Sequence, residues 1–330
     1  MGLLGMLLAD LFFLKSRIFY KEIPQINRVN VLRSIIILSS LLFVILTVIR
    51  IYKDRLGILK ILNAPYQRRA LLLCLVLASV SLLLFFYSPN VFSYLSLEDR
   101  FTEWASVLLL FCNVIFILLA LLKIVRLKKS YALLKGFMGL LLLGFFVIAM
   151  EEVSWFQRLL QIETPKAFRG NWQNEINLHN FSTLWAENIY YFGSFVFLVL
   201  CPFTALFAQK YISKFNLSIL VPGVFVSIIG SIAFAFNYTM WNSILVQISF
   251  FGSLIILLVL VTLCEEIWKR NWIVVMGLLM ISIQVTFLLN GERLIRSWEL
   301  TEYKEFFIPL AFFFYCGDVW IKTKNLTPNK

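Results

Sequence analysis

The segment Glu151-Glu152-Val153-Ser154-Trp155-Phe156-Gln157-Arg158 packs two adjacent carboxylates, an indole and a guanidinium into one short stretch. Continued as a helix at about 100° per residue, Glu151, Trp155 and Arg158 fall on one face and Glu152 turns toward a neighbouring one. Arg158 is then the nearest cationic partner for Glu151. Adjacent carboxylates at the edge of an apolar span are costly unless they are hydrated, paired or coordinating something. Downstream, Asn174-Glu175-Ile176-Asn177-Leu178-His179-Asn180 holds the only histidine of the chain. On a helix Glu175 and His179 are i, i+4 neighbours; on a strand Glu175, Asn177 and His179 share a face. Either conformation makes the acid and the imidazole converge.

Such a group has the parts for general acid–base chemistry, an imidazole that titrates near neutral pH and a carboxylate that orients it. Glu151, Glu152, Arg158, Glu175 and His179 are therefore the candidate catalytic residues. Trp155, Gln157, Asn177 and Asn180, with Glu98, Asp99 and Glu103, are the candidate substrate-binding residues. With Glu151 or Glu152, the pair Glu175 and His179 also offers carboxylate and imidazole ligands to a divalent metal, although the HExxH pattern is absent and one histidine is poor provision for zinc. No cofactor is required by the sequence. A hydrogen-bonded network that ties the 151–188 loop to the helix ends uses the same residues and stays open as a third reading.

The series Leu97-Glu98-Asp99…Glu103-Trp104, Glu151-Glu152-Val153-Ser154-Trp155…Gln157-Arg158, Glu163-Thr164-Pro165 and Asn174-Glu175…Asn177-Leu178-His179-Asn180 resembles the motifs of a set of uncharacterised prokaryotic polytopic membrane proteins. The likeness covers roughly residues 90–185. It implies a shared site made from the third and fourth spans and the loop after them, and it implies no activity.

The elements that must position these residues are apolar. Of 330 residues 61% are hydrophobic and 15% charged, against about 45–50% and 25% in soluble domains, so a water-soluble fold would have almost no surface. Apolar runs near the ~20 residues that span a hydrocarbon core recur at 31–49, 70–87, 104–122, 136–150, 189–208, 218–236, 244–264, 272–290 and 306–321. Unpaired backbone groups are not tolerated in lipid, which leaves helices or a closed barrel. Runs of Leu, Ile, Val and Phe without alternation exclude the barrel. The expected fold is an all-α integral membrane protein, a polytopic bundle of about nine transmembrane helices (eight to ten) in one domain over 31–330, with short interfacial helices in the 151–188 loop and an interfacial segment at 1–30. Within the latter, 2–14 reads as a helix lying on the membrane. Ser96-Leu97-Glu98-Asp99 has the pattern of a capping box, and Thr164-Pro165 that of an N-cap followed by proline at the first helical position.

The net charge of +12 is a topology signal rather than a nucleic-acid footprint. Alternate loops after the first span carry eighteen Lys and Arg at 50–69, 123–135, 209–217, 265–271 and 322–330, against seven at 88–103, 151–188, 237–243 and 291–305. The positive-inside rule makes the first set and the carboxy terminus cytoplasmic. The other face holds twelve acids, so the acidic loops 88–103, 151–188 and 291–305 lie outside, in a multi-pass protein of the plasma (cytoplasmic) membrane. The first span is basic on both flanks, and its direction stays open. Cys74, Cys112, Cys201, Cys264 and Cys316 form no CxxC pair and read as buried apolar residues. Arg293 and Arg296 are candidates for an anion clamp or for a solvated loop. Asn113, Gln247, Gln284 and Asn290 are candidates for bonds between helices, and Pro202, Pro222 and Pro309 for kinks.

Three functions follow as expectations. The first is a membrane-embedded enzyme acting on a lipid or lipid-linked head group at the outer leaflet. The second is a structural or assembly subunit that docks a partner through the 151–188 loop with Trp155, Trp172 and Trp185. The third is a transporter, which the scarcity of charge in the spans disfavours. The lipid bilayer is the one partner the composition requires; protein partners are not named by it.

Overall fold

The computed structural model describes residues 21–52, 61–127, 131–171, 173–208, 212 and 217–326. Among them nine helices are long and apolar enough to cross a membrane: α1 (Arg28–Tyr52), α2 (Pro65–Tyr87), α3 (Phe101–Val125), α4 (Ala132–Glu152), α5 (Thr183–Ala205), α6 (Leu217–Ala235), α7 (Ile244–Leu263), α8 (Ile267–Arg293) and α9 (Glu299–Lys324). No strand occurs among the described residues. The protein is a multi-pass helical membrane protein, and each apolar run lies wholly or largely within one of these helices. The expected helix over 2–14 and Trp172 lie outside the described residues.

Burial does not follow hydropathy along the chain. α9 has the lowest mean hydropathy of the nine, 1.3, yet 67% of its most apolar window is buried; α1 has 2.5 and 11%. In lipid an apolar face is content outside, while polar side chains are driven toward other helices. α9 accordingly forms the axis, packed along α3 and against α6, while α1 lies at the edge on α7. Bonds between helices reinforce it: Asn113 Nδ2 donates to the Pro309 carbonyl at 3.4 Å, and Ser34 Oγ donates to Gln247 at 3.2 Å. Gln284 and Asn237 exchange two bonds at 2.8 and 2.9 Å. Asn290 instead caps its own helix, donating to the Thr286 carbonyl.

Several local expectations are corrected. α9 starts at Glu299 rather than at 306, so Glu302, Lys304 and Glu305 belong to the span and not to the preceding loop. α1 starts at Arg28, inside the stretch assigned to the amino-terminal segment. The residues before it run along the acidic end, with Lys21 paired to Glu187 at 2.9 Å and the Glu22 N–H donated to the Thr239 carbonyl at 2.7 Å. The first span therefore starts at the same end of the bundle as Glu187. Pro222 falls at a break within α6, between the turn Leu217–Ile219 and the segment Val224–Ser231, while Pro309 lies inside an unbroken α9. The Ser96 capping box does not form: Ser96 Oγ donates back to the Ser93 carbonyl. Glu103, in the first turn of α3, instead accepts the Asp99 N–H at 2.8 Å. Thr164 is no helix cap either, since its hydroxyl donates to the Asn174 carbonyl at 2.5 Å. Arg293 donates to the Phe86 carbonyl, and Arg296 to the Ser93 carbonyl and to Ser96 Oγ.

α4 packs on α3. A crevice of about 490 Å³ separates it from α5, lined by Phe137, Gly144 and Ile148 on one side and by Tyr190, Gly193 and Phe197 on the other. The α5 wall contains a π-helical segment, Val196–Leu200, ahead of Pro202. Proline cannot donate to the helix ladder, and the wider turn accommodates the missing bond.

Candidate functional site

At one end of the bundle the carboxyl end of α4 meets the amino ends of α3, α5 and α9. The α4 helix stops at Glu152, because Ser154, Trp155 and Phe156 adopt left-handed backbone with φ of 48°, 53° and 59°. Each such residue costs about 1–2 kcal/mol outside glycine. Asp99, Gln161, Asn174 and Gly170 also have positive φ, and only Leu62 among the described residues does so elsewhere. Strain of this kind persists where surrounding bonds over-determine it, and it collects at functional sites.

The left-handed turn swings Arg158 away from Glu151, against the expected pairing. Its guanidinium instead gathers four carboxylates: Glu98 at 3.3 Å, Asp99 at 3.2 Å, Glu103 at 3.3 Å and Glu175 at 3.3 Å. Burial works against the Arg158 charge, but Glu103, Glu175, Asp99 and Glu98 outweigh it and hold its pKa above that of a free guanidinium. Glu175 is fixed from behind by Ser154 Oγ at 2.5 Å and Asn177 Nδ2 at 3.0 Å. Ser154 is fully buried. It was not a candidate at the sequence level, where nothing distinguishes it from a helical serine.

Glu151, not Glu175, holds the histidine. Residues 173–177 form neither helix nor strand; Asn171 holds Glu175 by donating to its carbonyl at 2.6 Å and accepting its N–H at 3.1 Å. Glu175 is thereby committed to Arg158. Glu151 Oε2 accepts the Leu178 N–H at 2.7 Å and the His179 N–H at 3.1 Å, and lies 3.2 Å from His179 Nδ1. Its Oε1 accepts from the Trp155 indole at 2.8 Å. This fixes the imidazole by Nδ1 and leaves Nε2 without a partner among the described residues. Gln157, Gln173 and Asn180 pin the loop: Gln157 accepts the Ile176 N–H at 2.6 Å and donates to Thr164, Gln173 donates to Glu98, and Asn180 donates to Gln173.

Glu152, one residue on, faces elsewhere. Its charge acts on Glu305, Glu103 and Glu151, and that of Glu302 on Glu305, Glu152 and Glu103. Glu305 accepts from the Tyr191 hydroxyl. Lys304, 2% exposed, bonds Asn237 and lies over the Tyr191 ring. Neither Glu152 nor Glu302 has a hydrogen-bond donor among the described residues. Glu302 and Glu305 were hidden from the sequence reading by their place next to a charged loop; the spacing Glu299, Glu302, Glu305, one helical stripe, is the signal that marks them.

The twelve candidates thus lie at one end of the bundle, but in three groups. Arg158, Glu98, Asp99, Glu103, Glu175, Gln157, Asn177 and Asn180 brace the loop. Glu151, Trp155 and His179 form a dyad with its indole, and Glu152 joins the α9 carboxylates. No three His, Cys, Asp or Glu side chains among the described residues form a group of the kind that holds a metal ion. The crevice between α4 and α5 reaches this end at Ile148 and Tyr190, and the Tyr190 hydroxyl lies within the field of Glu152 and Glu305. Comparison of the chain with protein-family models, with curated proteins and with solved structures finds no match.

Proposed function

We propose that the protein is a membrane-embedded enzyme acting on a lipid or lipid-linked substrate at the outer leaflet of the cytoplasmic membrane, with His179 as general acid–base and Glu151 as its orienting carboxylate. The observation that carries this reading is the grip of Glu151 Oε2 on His179, through both the backbone N–H and Nδ1. A carboxylate on one imidazole nitrogen fixes the tautomer and leaves the other to exchange a proton with substrate. Arg158 and its four carboxylates hold the loop rigid enough to keep that geometry. No cofactor is needed.

The test is turnover of lipid and lipid-linked substrates by the full chain in vesicles. Glu151→Gln and His179→Ala should each abolish it while the protein inserts and melts as before. Undiminished turnover, or an unchanged cellular phenotype, in both variants removes the enzyme reading. The outer placement of the loops rests on the distribution of Lys and Arg. A cysteine at Glu163 should react with an impermeant maleimide in intact cells, and one at Arg126 should not.

A docking or assembly role is favoured by a separate observation. Leu159, Leu160, Leu178 and Phe181 stand exposed on the same loop at 66%, 63%, 63% and 54%. Crosslinking from this rim in intact cells should capture one defined protein if docking is the function. A transporter gains Glu302, Lys304 and Glu305 as charges within a span, but they stand in the first turns of α9, away from the midplane where transport sites form.

A further inference from the structure

We infer that the crevice between α4 and α5 holds one hydrocarbon chain of a membrane lipid whose polar end, set against Glu152, carries a hydroxyl or an amine rather than an anion. The binding site stands on the crevice itself; only the chemistry that follows binding rests on the enzyme reading above.

Dimensions select the occupant. On α4 the wall runs from Phe137 to Ile148, about 16 Å at 1.5 Å per residue, which is about half of a ~30 Å hydrocarbon core and so the depth of one leaflet. About 490 Å³ over about 16 Å of helix leaves a cross-section of about 30 Å². The crevice is wide enough for one hydrocarbon chain. Its lining is almost wholly apolar, and Gly144 and Gly193 face each other's helices with open space where a Cβ would stand.

The polar end selects the head. Ile148 lies one helical turn before Glu152, and Tyr190 carries the lining up to Glu152 and Glu305. Glu152 and Glu302 lack donors among the described residues, so a ligand hydroxyl or ammonium supplies what they are missing. An anionic phosphate or carboxylate would meet Glu103, Glu152, Glu302 and Glu305 at close quarters, with Lys304 already bonded to Asn237. A further negative charge set among these four carboxyl groups is disfavoured. A head held at Glu152 also lies beside Glu151, the residue that holds His179.

The experiment uses the full chain in lipid nanodiscs and three photoreactive probes of equal chain length: a long-chain alcohol, a long-chain amine and a fatty acid. The alcohol and amine should label peptides containing Gly144 and Gly193, with the fatty acid at neutral pH about tenfold weaker. Gly144→Leu and Gly193→Leu fill the crevice and should lower labelling about tenfold with the melting temperature unchanged. Ile295→Leu, far from the crevice, should label as wild type. Unchanged labelling in both filling variants overturns the chain site, and equal labelling by all three probes overturns the head-group selection. A second protein crosslinked in place of the probes also overturns it. His179→Ala should keep full labelling; wild-type labelling without any turnover supports this inference while removing the enzyme reading.

Discussion

Glu151 Oε2 lies 3.2 Å from His179 Nδ1 and 2.7 Å from the Leu178 N–H, so one carboxylate oxygen fixes both a ring and the backbone that carries it. In the neutral imidazole the proton therefore sits on Nδ1. Because His179 is the only histidine, a histidine-labelled sample gives a single pair of ring ¹⁵N signals. They should report the Nδ1–H tautomer in the wild type and a tautomer mixture in Glu151→Ala. An Nε2–H tautomer in the wild type contradicts the dyad.

Arg158 is the one cation paired with these four acids among the described residues, and its removal should cost on the order of 2–3 kcal/mol. Most of that comes from Glu103 and Glu175, whose side chains are 8% and 12% exposed; Glu98 and Asp99, at 62% and 52%, are screened by water. Thermal unfolding of Arg158→Ala should show the loss, and Glu103→Gln in the same background should recover part of it. Arg158→Lys should not restore stability, because one ammonium cannot reach four carboxylates in a fork.

The left-handed turn reverses the usual order of alanine and glycine. Phe156 has φ of 59°, where a Cβ costs about 1–2 kcal/mol. Phe156→Gly should therefore be more stable than Phe156→Ala by about 1 kcal/mol, read from parallel denaturation curves. The opposite order means the turn is not held in solution.

Gly291 and Gly144 make a contrasting pair. A Cβ on Gly291 would lie 2.0 Å from Tyr238 Cε2, whereas one on Gly144 meets nothing within 4 Å. Gly291→Ala should cost about 1–3 kcal/mol and be relieved by Tyr238→Ala. Gly144→Ala should leave the melting temperature unchanged or raise it.

The spans were legible because a lipid-crossing backbone has to bond itself, which writes a long apolar run into the chain wherever a helix crosses. The start of α9 was not, because Glu302, Lys304 and Glu305 read as loop residues until their burial against α3, Tyr191 and Asn237 is known. The same limit applies to the site. Glu151, Glu175 and His179 stood out by type, but local periodicity paired Glu175 with His179, while the left-handed residues 154–156 and the Asn171 turn hand His179 to Glu151 and Glu175 to Arg158. Those turns carry no glycine or proline at 154–156 to announce them. The interaction of Glu103 with Asp99 similarly replaced an expected serine cap, because Ser96 finishes the short helix before it.

The α3–α9 contact also orders events during biogenesis. Ser106 and Asn113 of α3 bond the carbonyls of Glu305 and Pro309, so α3 enters the bilayer nearly two hundred residues ahead of the helix that covers its polar face. Until α9 arrives, Ser106 and Asn113 lack those acceptors, and a chain stalled before that point presents both polar side chains to lipid or to whatever chaperone shields them. The Glu152 group, which draws Glu302 and Glu305 from α9, is completed in the same step as the axis of the bundle, whereas the Glu151–His179 pair and the Arg158 cluster need only residues that precede it.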